Sequence, residues 1–203
     1  MEDQVTVEFD PNKHHRRSIR LKGYDYSQSG AYSFTICAND RECLFGKIID
    51  GEMRLNPFSE IAQACWDVPP LHYPHIELTA FLIMPNHVHG VIVIRRGEAF
   101  ANQHRNTRES GSANASPLHP PHGTQPDSLG AIIQNFKSVS TRKINQSNQT
   151  PGNKVWQRNY YEHIIRDEKA LHNIRRYIIE NPLRWAEDEE NPINIRTGER
   201  TCR

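Results

Sequence analysis

Met84-Pro85-Asn86-His87-Val88-His89-Gly90-Val91-Ile92-Val93-Ile94 follows a second apolar run, Ile76 to Ile83, and Pro85-Asn86 reads as the break between two strands. Side chains alternate faces along a strand. His87, His89, Val91 and Val93 therefore share one face, and Val88, Gly90, Ile92 and Ile94 share the other. Two imidazoles two residues apart on one strand can converge on a single ion. The spacing does not name a metal. It also suits two ordinary hydrogen-bonded histidines, because His-x-His alone lacks a full ligand set.

Upstream, Tyr32 to Cys37 alternates and is rich in β-forming residues, which predicts a strand. Lys47 to Leu55 encloses Asp50-Gly51 between Ile48-Ile49 and Met53, a hairpin signal. From Pro57, the residues Phe58, Ile61, Ala62 and Cys65 keep helical spacing, with Pro69-Pro70 as the stop. Downstream, Ser128 after Asp127 is a helix N-cap candidate. Leu129, Ile132, Ile133 and Phe136 then recur at i, i+3, i+4, i+7, the pattern of a helix buried on one face. Residues 145 to 153 read as a polar loop, and Val155 to Arg166 as an aromatic edge strand. Asp167 caps a last helix whose Leu171, Ile174 and Ile178 face a core, and Pro182 ends it. The order β, ββ, α, β, β, α, β, α has mostly antiparallel neighbours and predicts an α+β sandwich.

The chain has 203 residues and a formal net charge of +1, enough for one domain with tails and too balanced to predict a partner from the total. The distribution says more. Lys13, Arg16, Arg17, Arg20 and Lys22 make residues 1–23 a basic arm without regular structure. Glu187 to Glu190 is all acidic and reads as a solvated stretch of a polar tail over 186–203. The domain between them, 24–185, is interrupted at about 96–127 by Asn, Ser, His, Gly and Pro, a composition that predicts a disordered insertion. His104, His119 and His122 belong to that linker, not to a metal cluster. The four cysteines, Cys37, Cys43, Cys65 and Cys202, form no CxxC pair and no signal peptide precedes them, which predicts a reduced, cytoplasmic setting. No apolar run approaches the roughly 18 residues of a membrane span.

Tyr177 and Asn181 lie i, i+4 on the last helix, one above the other and bordering its core-facing stripe. With the histidine strand, they complete a pattern. Pro85-Asn86-His87-Val88-His89-Gly90 resembles the His-hydrophobic-His motif of the HUH endonucleases, in the form found in single-tyrosine transposases. Asn135-Phe136-Lys137-Ser138 is similar to the helix that follows the motif there. Trp156 to His163 and Tyr177-Ile178-Ile179-Glu180-Asn181-Pro182 resemble the C-terminal signature of the REP-associated tyrosine transposases. The pieces stand in family order from about Gly23 to about Trp185.

The resemblance implies a ferredoxin-like antiparallel sheet with helices packed against it and both histidines on a central strand. It implies cleavage and rejoining of single-stranded DNA, usually beside a hairpin, through a covalent phosphotyrosine. By match, His87 and His89 are metal ligands, Tyr177 is the nucleophile, and Asn181 takes the place of a polar third ligand. The cofactor would be a divalent ion, Mg or Mn, and the working form a monomer or homodimer. The insertion departs from compact relatives, and the short tail leaves hairpin preference open.

Each residue has a plainer alternative. Tyr177 suits a core tyrosine, Asn181 before Pro182 suits a helix end, and His163 suits a surface strand. Trp156, Tyr160 and Tyr161 suit either stacking on unpaired bases or packing. Arg16, Arg17, Arg20, Lys22, Lys137, Arg142, Lys143 and Arg158 suit either phosphate contacts or solvation. Other classes are a hairpin-DNA-binding module that no longer cuts, a replication nickase, and a hydrolase unrelated to DNA. The insertion yields a prediction. Replacing 96–127 by a short Gly/Ser linker should leave the unfolding midpoint within about 10 °C of the parent, and a larger fall in a thermal melt would mean the segment packs.

Overall fold

The computed structural model describes Leu21 and residues 24–95, 124–188 and 190–194. Arg16, Arg17, Arg20 and Lys22, Cys202, and the insertion as far as residue 123 lie outside the described residues.

Among the described residues, six strands are β1 (Gly30–Cys37), β2 (Gly46–Ile49), β3 (Glu52–Leu55), β4 (Ile76–Ile83), β5 (His87–Ile94) and β6 (Tyr161–Ile165). The same described residues form four α-helices, α1 (Pro57–Trp66), α2 (Pro69–His72), α3 (Leu129–Ser147) and α4 (Glu168–Glu180), and a 3-10 helix, Asn181–Glu187, continues from α4. Four strands make one antiparallel sheet in the order β4-β5-β1-β6, and β2 with β3 makes a separate hairpin. Without that hairpin and α2, the described elements run β-α-β-β-α-β, the ferredoxin-like order expected from the resemblance, and α4 follows.

Local chemistry accounts for the boundaries. Asp50 (φ 51°) and Gly51 (φ 75°) both turn left-handed, as a two-residue hairpin loop requires. A side chain on Gly51 would also collide with Leu183, so the hairpin tip rests on the 3-10 helix. Asn56 caps α1 by accepting from the Phe58 and Ser59 N–H groups, while Ser59 Oγ accepts from Asn56 N–H. Ser128 caps α3 through Ala131 N–H, and Asp167 caps α4 through Ala170 N–H at 2.7 Å.

Helices α1 and α3 pack on one face of the sheet. Their buried residues Ala62, Trp66, Ile132, Ile133 and Phe136 share a core with Phe34, Ile36, Val88, Ile92 and Ile94. The other face, carrying Val91, is covered by α4 through Leu171, Ile174 and Ile178. The first core is tied together by rings. Trp66 stacks on Phe81 at 4.6 Å and meets Phe34 at 5.0 Å, and Trp156 stacks on Phe45 at 4.8 Å.

Three details differ from the sequence reading. Pro69-Pro70 does not stop α1, which ends at Trp66, but opens α2, because proline at a first helical turn loses no hydrogen bond. Helix α3 runs on to Ser147, so Asn145 is a buried helical residue whose Nδ2 donates to Asn153 O at 2.8 Å. Only Tyr161–Ile165 pairs as the edge strand. Trp156 makes one bridge to Ala38, and its indole N–H donates to Ser140 Oγ at 2.9 Å inside the core. Cys37 and Cys65 are buried free thiols and Cys43 an exposed one. Among the described residues no helix is long and apolar enough to cross a membrane.

Gly90 pairs with Phe34 across β5 and β1, and the Phe34 ring lies where a Gly90 side chain would stand, 2.3 Å from an ideal Cβ. Gly90→Ala should therefore destabilise by about 1–3 kcal/mol through overpacking. Gly90→Ala with Phe34→Leu should recover part of that loss in a denaturant melt. Additive losses would show that the two positions do not compete for space.

Candidate metal centre and its tyrosine

Strand β5 places both histidines where alternation predicted. His87 is opposite Cys37 and His89 opposite Thr35 on β1, and both imidazoles are buried. Their Nε2 atoms lie 2.9 Å apart. Their Nδ1 atoms are turned away and engaged. His87 Nδ1 is 2.8 Å from Asn86 Oδ1, and His89 Nδ1 is 2.8 Å from Thr35 Oγ1.

Asn86 fixes the tautomer of His87. Its Nδ2 donates to the carbonyls of Glu190 (2.6 Å) and Arg41 (3.2 Å), so its oxygen must face His87. A carbonyl oxygen only accepts, so His87 carries its proton on Nδ1 and presents a lone pair from Nε2. Thr35 can donate or accept. With Thr35 donating, His89 Nε2–H donates to His87. With its hydroxyl rotated to accept from Nδ1–H, both Nε2 lone pairs converge on one point. Burial pushes the His87 pKa well below the usual 6.5, helped by His89 and the Arg41 charge. Burial alone lowers that of His89 to about 4. Both rings are neutral at pH 7, the state a metal ligand needs.

Helix α4 brings Tyr177 over this pair. Its ring centroid is 5.7 Å from that of His89 at 70°, and the residue is 47% exposed, so the ring meets both site and solvent. Asn181, one turn on, opens the 3-10 helix and is buried, with Oδ1 lacking a hydrogen-bond partner. An orphaned buried acceptor is costly unless something binds it. Asp188, at the end of the 3-10 helix, has a carboxylate oxygen within 4.8 Å of ligand nitrogens of both histidines. Two neutral imidazoles and a carboxylate this close together fit a divalent ion.

The sequence did not single out Asp188, Asn86 or Thr35. Asp188 sits in the acidic run read as solvated, yet Glu190 of that run pairs with Arg41 at 2.6 Å. Thr35 could be found only by knowing the β1–β5 register. Trp185, whose ring centroid is 6.1 Å from that of His87, was likewise read only as the end of the resemblance.

Among the described residues, the predicted basic contacts are not gathered at the histidines. Arg142 and Lys143 are exposed on α3, across the sheet. Arg158 is exposed before β6. Lys137 Nζ donates to the carbonyls of Gln157 and Arg158, and burial lowers its pKa to about 8. Tyr161 and His163 lie in register with Thr35 and Ser33, on the histidine face, while Tyr160 packs into the opposite core.

A ferredoxin-like domain with a His-x-His centre under a tyrosine helix is the class that fold and site define. No protein-family profile matches the chain. An uncharacterised protein of Haemophilus influenzae is 40% identical over 186 residues, spanning 91% of this chain and 98% of that one. The chain belongs to one family with it. A second Haemophilus influenzae protein, named "Putative REP-associated tyrosine transposase", is 26% identical across 79% of this chain and 74% of its own length. A solved REP-associated tyrosine transposase bound to a REP hairpin superimposes with a TM-score of 0.53, at 17% identity, over 81% of this chain and 73% of that one. The chain is thus similar in sequence to one protein that carries the REP-associated tyrosine transposase name and similar in fold to a solved one, as its motifs suggested.

The depressed histidine pKa values set a pH dependence. Below pH 6.5 the unfolded chain binds protons that the folded imidazoles refuse, so stability is full above the unfolded value and falls as pH drops toward the folded one. For His89, moving from about pH 7 to 5 should cost roughly 2 kcal/mol. Denaturant melts of His89→Gln should show a correspondingly smaller loss over that interval. An equal loss would place the acid sensitivity elsewhere.

Proposed function

We propose that this chain cleaves and rejoins single-stranded DNA beside hairpins, a transposase-like strand transfer through a covalent phosphotyrosine. The observation that carries this reading is the half-exposed Tyr177 ring lying against His89, above two imidazoles whose Nε2 atoms converge at 2.9 Å. The named relative and the shared fold support the class of activity.

His87, His89 and Asn181 would hold a divalent ion, Mg or Mn, which when bound polarises a phosphodiester oxygen and offsets its charge. The chain's own residues do the rest. Asn86 holds His87 in its Nδ1–H tautomer, and Thr35 keeps the His89 ring aimed. The sheet and α4 exclude water from the histidines. Tyr177 Oη attacks phosphorus and its proton passes to water. The bond from phosphorus to one sugar oxygen breaks, and that oxygen takes up a proton and leaves as a free hydroxyl. Attack by a hydroxyl on the phosphotyrosine reverses the step, so no nucleotide is consumed.

Basic side chains would neutralise phosphates along the strand. Arg158, Arg142 and Lys143 are the exposed candidates, and with Lys137 engaged by carbonyls it contributes less. The arm residues Arg16, Arg17, Arg20 and Lys22 belong to the same proposal.

Tyr177 is distinguished from Tyr161 by its place on α4 beside His89 and by Asn181 one turn away. With single-stranded oligonucleotide next to a hairpin and Mn or Mg present, the parent protein should form a covalent adduct and Tyr177→Phe none, with hairpin affinity unchanged. An adduct mapped to Tyr160 or Tyr161 by peptide mass would overturn the assignment. Hairpin binding without any adduct in the parent would make the chain a non-cutting binding module.

A further inference from the structure

The chain has three tryptophans, and two of them are core residues. Trp66 and Trp156 are 1% and 6% exposed and belong to the aromatic cluster under α1 and α3. Trp185 belongs to neither hydrophobic cluster. It is half-buried in the 3-10 helix, and among the described residues its one ring contact is with His87. The indole meets that imidazole at 6.1 Å and 40°, neither parallel nor edge-on, so the two rings pack loosely. Its backbone is held more firmly. Trp185 O accepts from Asp188 N–H at 3.2 Å and from Asn191 Nδ2 at 2.8 Å. A large apolar ring is thus fixed beside the histidines and left partly open to solvent.

The rings of the site form a series. Tyr177 lies 5.7 Å from His89, His89 lies 4.5 Å from His87, and His87 lies 6.1 Å from Trp185. A phosphodiester taken up at the imidazoles therefore has an aromatic ring near each of them. These two rings cannot do the same work. Tyr177 must turn its hydroxyl to phosphorus. Trp185 carries neither a nucleophile nor a charge, and what it offers is a π face.

We infer that Trp185 is the platform on which an unpaired base next to the scissile phosphate stacks, and that this contact selects single-stranded over paired DNA at the cleavage point. The inference rests on the DNA-cleavage reading above and deepens it by naming how the site recognises its strand. A base inside a duplex has both faces covered by its neighbours and must unstack to reach the indole. An unpaired base has a free face, and stacking on an aromatic ring tolerates any base. Phosphate contacts alone do not make this distinction, because paired and unpaired strands carry the same charged backbone.

The test uses tryptophan fluorescence, which a stacked base quenches. The full-length parent is titrated with a hairpin oligonucleotide carrying a single-stranded arm, and with the same hairpin whose arm is abasic. The two probes have equal charge. The base-bearing arm should quench the emission and bind at least about fivefold more tightly than the abasic arm. Trp185→Phe keeps a ring and should lose the quench, because Trp66 and Trp156 are buried. Trp185→Ala should bind the base-bearing arm at least about fivefold more weakly than the parent, and the abasic arm equally well. Should Trp185→Ala fold poorly, the parent and Trp185→Phe titrations decide. Equal weakening on both arms in Trp185→Ala would assign the indole to packing against His87 and overturn the platform. So would a quench that persists in Trp185→Phe, or equal parent affinity for the two arms. A covalent adduct at Tyr177 alongside any of those three results leaves the cleavage reading standing. A parent that binds neither probe and forms no adduct overturns both.

Discussion

Strand β5 is buried on both faces, and its two-residue period decides what each layer of the molecule can be. One set of side chains, Val88, Ile92 and Ile94, belongs to the core under α1 and α3, and the other carries the histidines toward α4. A slip of one residue would exchange the sets and put two imidazoles into an aromatic core. Register is therefore pinned several times. Met84 N–H donates to His87 O at 2.8 Å and Ala38 N–H to Asn86 O at 2.7 Å, closing the Pro85-Asn86 turn. Further along, the Phe34 ring fills the space beside Gly90, which no residue with a side chain could share. The site is exact because the strand that bears it cannot shift.

Burying two imidazoles costs hydration, and the fold meets that cost with fixed dipoles. Asn86 spends both ends of its amide, two donations and one acceptance, so it cannot flip. The arrangement keeps each ring neutral with a ring nitrogen facing its neighbour, which is also the cheapest way to hold an imidazole out of water. Lys137 shows the same economy at another place. Its ammonium donates to a pair of carbonyls while burial lowers its pKa, so a lysine that a sequence presents as surface charge serves to tie α3 to the loop before β6.

Much of the fold was legible because periodicity and caps are local. The alternation of β5, the i, i+3, i+4, i+7 stripe of α3, the Asp50-Gly51 turn and the Ser128 and Asp167 caps each depend on neighbours within a few residues. The histidine pair and the i, i+4 relation of Tyr177 to Asn181 were legible for the same reason. What stayed hidden is long-range. Thr35 reaches His89 across 54 positions and Glu190 reaches Asn86 across 104, and no local pattern encodes such pairs. Strand β4 hid its faces differently. A bulge between Leu78 and Ala80 breaks its alternation, so Leu78 and Phe81 share a core although they are three positions apart. Asp188 was obscured by company. In a run of four acids, those that are held in place look like the ones beside them.

The ion pair between Arg41 and Glu190 spans almost the full described chain. Contacts of such sequence separation form late, because their loop-closure entropy is repaid only after intervening structure exists. The sheet can assemble as soon as Ile165 is available, and α4 can dock soon after. The histidines would then stand with His87 lacking one of the contacts that orient its partner, since Asn86 has not yet met the Glu190 carbonyl. On a ribosome, residue 190 is the last of these pieces to emerge, so a chain still being made carries the scaffold of the site without its closure. Maturation of the centre is thereby deferred until synthesis has passed the domain that contains it.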